Sequence, residues 1–518
     1  MLPRIQFYAV VVIPGAVLMA LEIVSSRVLA PQFGNSVYVW GSIIGVFLAA
    51  MSIGYVWGGR LADARPRLAD LGLLLIAAAG AQALVLLAAR PVVDVLGEWT
   101  AGAPWGTLVA TSVLFGPPTL LLATVAPYVV RLAARDLKLL GGTAGHLYAI
   151  STGGSLLGTL GATFALIPYL ALDAILRLLL LLTLAAGASA VGTAWREHRL
   201  AAALAASLAV LALTGPLLPG GPRDVLAERL TPYQTLLITQ RDGVRWMTSD
   251  GTLHAAVDVA TGEPWLLYPR AAAGVVLFVP EIEDVLVLGM GGGSFGSYMR
   301  SRLPELRVDY VDIDPAVPEL ARRLMYFRDD PFSTVHVDDA RRFLRRSSRR
   351  WDVIYTDTYI GHSIPFHLST VEFFREVEAH LRPDGAFGVN LVAAPETPFG
   401  GAFLRSVRAV FPHTYLFNVP GGNYFLVATN GAERWTDDQL GDRARQLAER
   451  WTFDPSLVEI AGFLSEGAVD LSEAMLLRDA FAPVNHLIHR DAERSAPAVE
   501  PPEPPRPPAV RSAPGGQI

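Results

Sequence analysis

The chain has 518 residues, 52% of them hydrophobic and only 17% charged, with a mean hydropathy of +0.38 and a formal net charge of −6. That is too apolar for an ordinary soluble protein, and the slight acidity gives no global reason to expect a nucleic-acid partner. No cysteine is present, which excludes disulfides, thiolate nucleophiles and Cys-ligated metals.

The apolar residues are not spread evenly. Residues 1–220 are dense in Leu, Ala, Val and Gly and read as a transmembrane helical domain. Runs of about 20 apolar residues, enough to cross a bilayer, lie near 6–30, 37–58, 70–90, 105–132, 143–168, 171–194 and 199–218. The first leads directly into further spans, so it is not a cleaved leader. The expectation is a multi-pass protein of the cell (inner) membrane with about seven spans, the Ala-rich 199–218 being the last.

Basic residues cluster after the second span (Arg60, Arg65, Arg67), the fourth (Arg131, Arg135, Lys138) and the sixth (Arg196, Arg199). The positive-inside rule makes these loops cytoplasmic. Seven spans then leave the remainder of the chain outside, whereas an even count would leave it in the cytosol, the orientation expected here.

Within the spans, Glu22 and Arg27 are expensive charges that mark either a functional site or a polar cluster. The run Gly58 to Asp63 (GGRLAD) resembles the loop between the second and third helices of major-facilitator transporters. Pro117, Pro118 and Pro127 should kink or break the fourth span. Gly153, Gly154, Gly158 and Gly161 form a small-residue face suited to helix packing.

After the spans, residues 228–283 open with alternating apolar and polar positions. Turn signals stand at Asp242-Gly243 and Asp250-Gly251, and together these read as a small β-hairpin sheet. Residues 284–490 then alternate strands (285–289, 307–312, 334–338, 351–357, 384–392) with helices (294–303, 315–326, 339–347, 370–381, 398–411). A hairpin over 413–418 and 423–429 closes the pattern. Such alternation predicts an α/β Rossmann-like domain with a mostly parallel sheet.

In a sheet of this kind ligands bind beyond the carboxyl ends of the strands. Those ends carry Gly289, Gly291, Gly292 and Gly293, then Asp312 and Asp314, then Asp338 and Asp339, then Asp357. Glycines let the backbone approach a nucleoside, and an acid about 20 residues later can accept bonds from ribose hydroxyls. Asp338 is equally readable as a helix cap.

Six arginines between Arg341 and Arg350 read as a solvated helix face near anionic lipid headgroups rather than a nucleic-acid site. The tail 495–518 is rich in Pro, Ala and Ser and should be disordered, partly polyproline II. No spacing of His or acids suggests a metal site.

Taken together, residues 228–490 resemble the spermidine synthase family (polyamine aminopropyltransferases), and the apolar first part resembles its membrane-fused branch. The motifs are Tyr233-Gln234, Asp250-Gly251, the loop of Gly289, Gly291 and Gly293, Asp312, Asp339-Ala340, Asp357 after WDVIYT, and Asp479 with Ala482-Pro483-Val484. The resemblance implies a class I methyltransferase-like fold. It also implies a donor, decarboxylated S-adenosylmethionine, from which an aminopropyl group passes to a polyamine or other amine. Gln234, Gly289, Gly291, Gly293, Asp312, Asp339 and Ala340 would hold the donor. Asp357 would position or deprotonate the acceptor, and Tyr233, His254 and Tyr359 would touch it. In the run Tyr359 to Thr370, His362 and His367 are candidate bases. The plainer alternatives are a solvent-facing loop residue for His362 and a backbone-bonded imidazole for His367.

The chain also departs from the family pattern. Gly292 stands where the family loop has Asp, Ile360 where its second signature Asp falls, and His254 where it has Gln. The family's Tyr-His-Glu segment is not visible around Trp265 to Tyr268. Each lost charge-assisted bond removes roughly 1.5–3 kcal/mol of affinity for a cationic amine. Two alternatives therefore stand: an S-adenosylmethionine-dependent methyltransferase, and a non-catalytic transporter or sensor that binds polyamine or nucleoside. The expected partners are a small amine or polyamine and the lipid bilayer, with no nucleic acid; a homodimer is compatible.

Overall fold

The computed structural model describes residues 2–34, 36–100, 104–134, 140–192, 199–214, 224–361, 363–431, 433–465 and 469–495. The Pro-rich tail from 496 lies outside these residues, as does His362.

The first part is a helical bundle: α1 (Leu2–Phe33), α2 (Val37–Ala64), α3 (Leu68–Trp99), α4 (Pro104–Ala123), α5 (Val125–Ala133), α6 (Leu140–Gly161), α7 (Ile167–Tyr169), α8 (Leu172–Val191) and α9 (Arg199–Thr214). A π-helical stretch, Ala162–Leu166, joins α6 to α7. Six stretches are long and apolar enough to cross a membrane: Phe7–Phe33, Val37–Ala64, Leu68–Gly97, Trp105–Ala133, Gly141–Tyr169 and Leu172–Val191. The last expected span, near 199–218, is a shorter apolar helix of 16 residues.

Small residues let the bundle close. A Cβ on Gly154 would sit 2.4 Å from Val12 O, and one on Gly158 2.0 Å from Ala16 O, so α6 meets α1 backbone to backbone. Gly153 and Gly161, expected on the same face, have open space instead. The helix tolerates Pro117 and Pro118 inside α4; the chain breaks at Thr124, and Pro127 lies within α5. Asp63 of the GGRLAD run pairs with Arg131 at 3.0 Å.

Four antiparallel strands follow in order β1 (Val225–Leu230), β2 (Thr235–Arg241), β3 (Val244–Ser249) and β4 (Thr252–Asp258). Both expected turns are two-residue hairpins with positive φ at each centre: Asp242 and Gly243 at 50° and 77°, Asp250 and Gly251 at 46° and 81°. That is the backbone twist a tight hairpin needs. A short helical passage, α10 (Leu267–Ala271) continued by a 3-10 stretch Ala272–Phe278, leads into the main sheet.

The main sheet contains β5 (Asp284–Leu288), β6 (Arg307–Asp312), β7 (Ser333–Val337), β8 (Trp351–Thr356), β9 (Leu381–Leu391), β10 (His413–Val419) and β11 (Asn423–Thr429). Its order is β10-β11-β9-β8-β5-β6-β7. Only β11, inserted between β9 and β10, runs antiparallel to the rest. This is the class I methyltransferase arrangement. Interleaved are α11 (Ser294–Arg302), α12 (Ala316–Leu324), α13 (Ala340–Arg346), α14 (Val371–Ala379) and α15 (Pro398–Arg408); α16 (Asp437–Ala448), α17 (Leu457–Ala461) and α18 (Val484–Ser495) follow the sheet. Every residue of β5 and β8 is buried, because helices cover both faces. The chain crosses over beside β5, so a crevice opens above its carboxyl end.

Of the arginine run only Arg341 is buried; the other five arginines are exposed, several of them paired with acids. Arg341 bonds Glu376 at 2.8 Å and Asp479 at 2.7 Å. Arg345 shares Glu376, and Arg349 reaches Asp309 at 2.8 Å. Acids from α14, β6 and the segment before α18 meet these arginines, and those contacts are tertiary, beyond the reach of local spacing.

Candidate active site

A cavity of about 520 Å³ lies above β5, between the small sheet and the main sheet. Its floor is the loop after β5. Gly289 has φ of 85°, and a Cβ there would stand 2.3 Å from Asp357 O. Only glycine therefore lets this loop lie against the tip of β8, where Asp357 N donates to Leu288 O at 2.8 Å. Gly291 has φ of 52° and faces open space on the cavity wall. Gly293 (φ 74°) instead precedes α11 and packs against Phe327, away from the cavity. Gly292 lines a separate cavity of about 400 Å³ behind the loop. A Cβ on it would lie 2.9 Å from that of Ala255.

Asp312, at the end of β6, accepts bonds from Met290 N and Asp314 N, both at 3.0 Å. Burial pushes its carboxyl up to about 6, against the pull of those amides. Beside it stands a polar cluster. Thr231 donates to Asp314 at 2.7 Å, Gln234 Nε2 donates to the same oxygen at 3.2 Å, and Ser249 donates to Gln234 Oε1 at 2.5 Å. The cluster fixes which face of the Gln234 amide the cavity sees. Tyr233 is not on the wall; its backbone N–H donates to Thr231 Oγ1 at 3.1 Å.

Asp339 caps α13 by accepting from Arg342 N at 2.9 Å. Its other oxygen bonds His367 Nε2 at 2.9 Å, and that bond holds the carboxyl below its usual range. Asp339, Ala340 and His367 all line the cavity, so His367 faces the Asp339 side of it.

Across the cavity, Asp357 accepts from Asn390 Nδ2 at 2.8 Å, and Asn390 in turn accepts from Asn423 Nδ2 at 2.8 Å. The Tyr268 hydroxyl, which donates to His254 O at 2.8 Å, also lies beside this carboxyl. Burial raises Asp357 to about 6. Tyr359 accepts from Val392 N at 2.9 Å and stands with His254 on the same wall. Around them the wall is apolar, from Leu253, Leu266, Ile360 and Val392.

The structure therefore gathers Gln234, Gly289, Gly291, Asp312, Asp339, Ala340, Asp357, Tyr359, His254 and His367 around one cavity. It leaves Tyr233 and Gly293 off that wall. Asn390, Tyr268, Thr231 and Asp314 carry the supporting bonds. The strand-end rule points to Asn390, next to last in β9. Tyr268 gave no motif signal, because the segment around it does not match the family's. Among the described residues no group of three or more His, Asp or Glu stands together to hold a metal.

Residues 267–394 match the spermine/spermidine synthase domain. The polyamine aminopropyltransferase of Vibrio vulnificus is 27% identical over 280 residues, covering 52% of this chain and 92% of that protein. The polyamine aminopropyltransferase of Neisseria meningitidis serogroup A is 34% identical over 196 residues, 36% of this chain and 73% of that protein. A probable spermidine synthase from Corynebacterium glutamicum superposes with a TM-score of 0.41 at 18% identity, over 51% of this chain and 99% of its own. The chain belongs to the spermine/spermidine synthase family.

Proposed function

We propose that this protein is a membrane-embedded transferase that moves an aminopropyl group from decarboxylated S-adenosylmethionine to an amine. One observation carries the reading: a single cavity joins a glycine-floored acid, Asp312, to a second half-buried acid, Asp357.

Asp312 offers oxygens to the ribose hydroxyls, and Gln234, Asp339 and Ala340 border the rest of the nucleoside. The sulfonium then points across the cavity toward Asp357. The amine lone pair attacks the carbon next to sulfur, a C–N bond forms, and the C–S bond breaks with its electron pair on sulfur. A neutral thioether leaves, and the new ammonium gives a proton to Asp357. Asn390 holds that carboxylate in place. Leu253, Leu266, Ile360 and Val392 pack the carbon chain of the acceptor.

A second reading, methyl transfer from intact S-adenosylmethionine, is favoured by Gly292. The loop from Gly289 to Gly293 carries no carboxylate to hold the terminal ammonium of the decarboxylated donor, and Gly292 itself faces the cavity behind it. Incubating the full-length protein with each donor and an amine, then identifying the thioether by mass spectrometry, separates the two. Methylthioadenosine supports aminopropyl transfer, and S-adenosylhomocysteine supports methyl transfer. Neither thioether from any amine overturns both.

For location, we read the apolar helices as membrane spans. Their lengths of 20–30 residues suit a bilayer.

A further inference from the structure

The helical bundle has two ends, and the catalytic part sits on only one of them. At the end formed by α1 and α2, Arg27 Nη2 donates to Pro232 O at 2.5 Å. Pro31 O lies so close to the Asp250-Gly251 turn that a Cβ on Gly251 would meet it at 2.6 Å. Tyr38, at the start of α2, bonds His486 Nδ1 of α18 at 2.9 Å. Leu230 of β1 packs against the core of the bundle.

The helix directions fix what lies at the other end. Val12 and Ala16 meet Gly154 and Gly158, so α1 and α6 run parallel. Leu120 and Thr124 meet Gly54 and Gly58, so α4 runs with α2. Gly72 meets Gly187 and Val191 while Gln82 bonds Thr183, so α8 runs against α3. Hence α8 finishes where α3 begins, at the end away from the catalytic part. There Asp63 pairs with Arg131, and Tyr128 donates to Arg65 O. To reach β1 the chain must return along the bundle. α9 makes that return, with Ala205, Leu208 and Ala212 packed on Ile76, Ala79 and Leu180. At 1.5 Å per residue α9 covers about 24 Å, and Leu217 and Leu218 follow it in the sequence.

Charge then orients the bundle. Arg60, Arg65, Arg67, Arg131 and Arg199 stand at the far end, and the sequence linking the described helices there adds Arg135, Lys138 and Arg196. At the near end, 31–37, 97–105 and 169–173 contain no Lys or Arg. Positive loops stay in the cytoplasm.

We infer that the catalytic part, with the cavity at Asp357, lies on the non-cytoplasmic side of the membrane. This reverses the cytosolic orientation expected from the sequence. A nucleoside donor made in the cytosol reaches the site only after a translocation step. The inference rests on the membrane reading above and is independent of the transfer chemistry.

The absence of cysteine makes the test direct. Ser348→Cys places one thiol on an exposed position of the catalytic part, and Ala64→Cys places one at the far end of the bundle. Intact cells expressing either full-length variant are treated with a membrane-impermeant maleimide, with a cytosolic thiol protein as the control for leakage. The expected result is labelling of Ser348→Cys in intact cells and of Ala64→Cys only after permeabilisation. Any other pattern in cells that pass the leakage control overturns the inference. Because labelling needs no turnover, that failure is separate from a failure of the transferase reading.

Discussion

Asn390 donates to Asp357 across 2.8 Å, from the end of one strand to the loop after its neighbour. The bond holds one carboxylate oxygen, and the Tyr268 hydroxyl stands beside the same carboxyl. It places the acid of β8 under the control of β9, and several consequences can be measured.

Asp357→Asn should lower turnover by about 10²–10⁴-fold, the usual contribution of a positioned base. Donor affinity should stay within about twofold, because Asp312 and Gln234 are untouched. Full turnover in this variant would remove Asp357 from the chemistry.

The pH dependence follows from the raised carboxyl. Asp357 must be ionised to take a proton, and burial lifts its pKa to about 6. The acidic limb of the kcat profile should therefore bend near pH 6, with activity lost below it. A variant lacking Asp357 should lose that bend. Stability has the opposite sign. A carboxyl raised in the folded state stabilises it fully below the unfolded value of about 3.9, and the contribution is lost as pH rises through 6. Asp357→Asn should thus have a Tm at pH 7 equal to or above that of the parent, which thermal melts across pH 4–8 will show.

Asp312→Ala removes the acceptor for Met290 N and Asp314 N as well as the ribose bonds. Donor affinity should fall at least about tenfold, since a hydrogen bond to a charged group contributes roughly 1.5–3 kcal/mol. Calorimetry gives the comparison, and equal affinity would place the nucleoside elsewhere.

Much of this site is written in the strand ends. The glycine loop, Asp312, Asp339 and Asp357 are visible because a parallel sheet puts functional groups at its carboxyl edge, and alternation reveals the sheet. The turns at Asp242-Gly243 and Asp250-Gly251 are equally local. What stayed hidden is tertiary. Nothing near His367 in sequence announces that it faces Asp339, and Arg341 shows no sign locally of being buried between Glu376 and Asp479. Arg27 reads as part of an intramembrane site or polar cluster with Glu22, but its guanidinium reaches Pro232, 205 residues away. Gly293 reads as part of the binding loop, yet its positive φ serves the entry into α11.

Ile360→Asp should restore a carboxylate on the acceptor side and shift preference from monoamines toward diamines by about tenfold or more, one charge-assisted bond. The ratio of kcat/KM for a diamine over a monoamine of equal length is the readout. An unchanged ratio would place the acceptor chain away from Ile360.

Arg341→Ala strips the shared partner from Glu376 and Asp479. The acids left behind are partly exposed and Glu376 keeps Arg345, so the expected loss is that of a charge-assisted hydrogen bond, about 1.5–3 kcal/mol. Chemical denaturation should show that loss, and an unaffected midpoint would mean the network contributes little.

The most direct measurement is a calorimetric titration of the full-length protein with decarboxylated S-adenosylmethionine, repeated in the presence of methylthioadenosine. Saturable binding of one molecule per chain is expected, weakened in proportion to the added thioether. An absence of heat, or binding indifferent to the thioether, would contradict it.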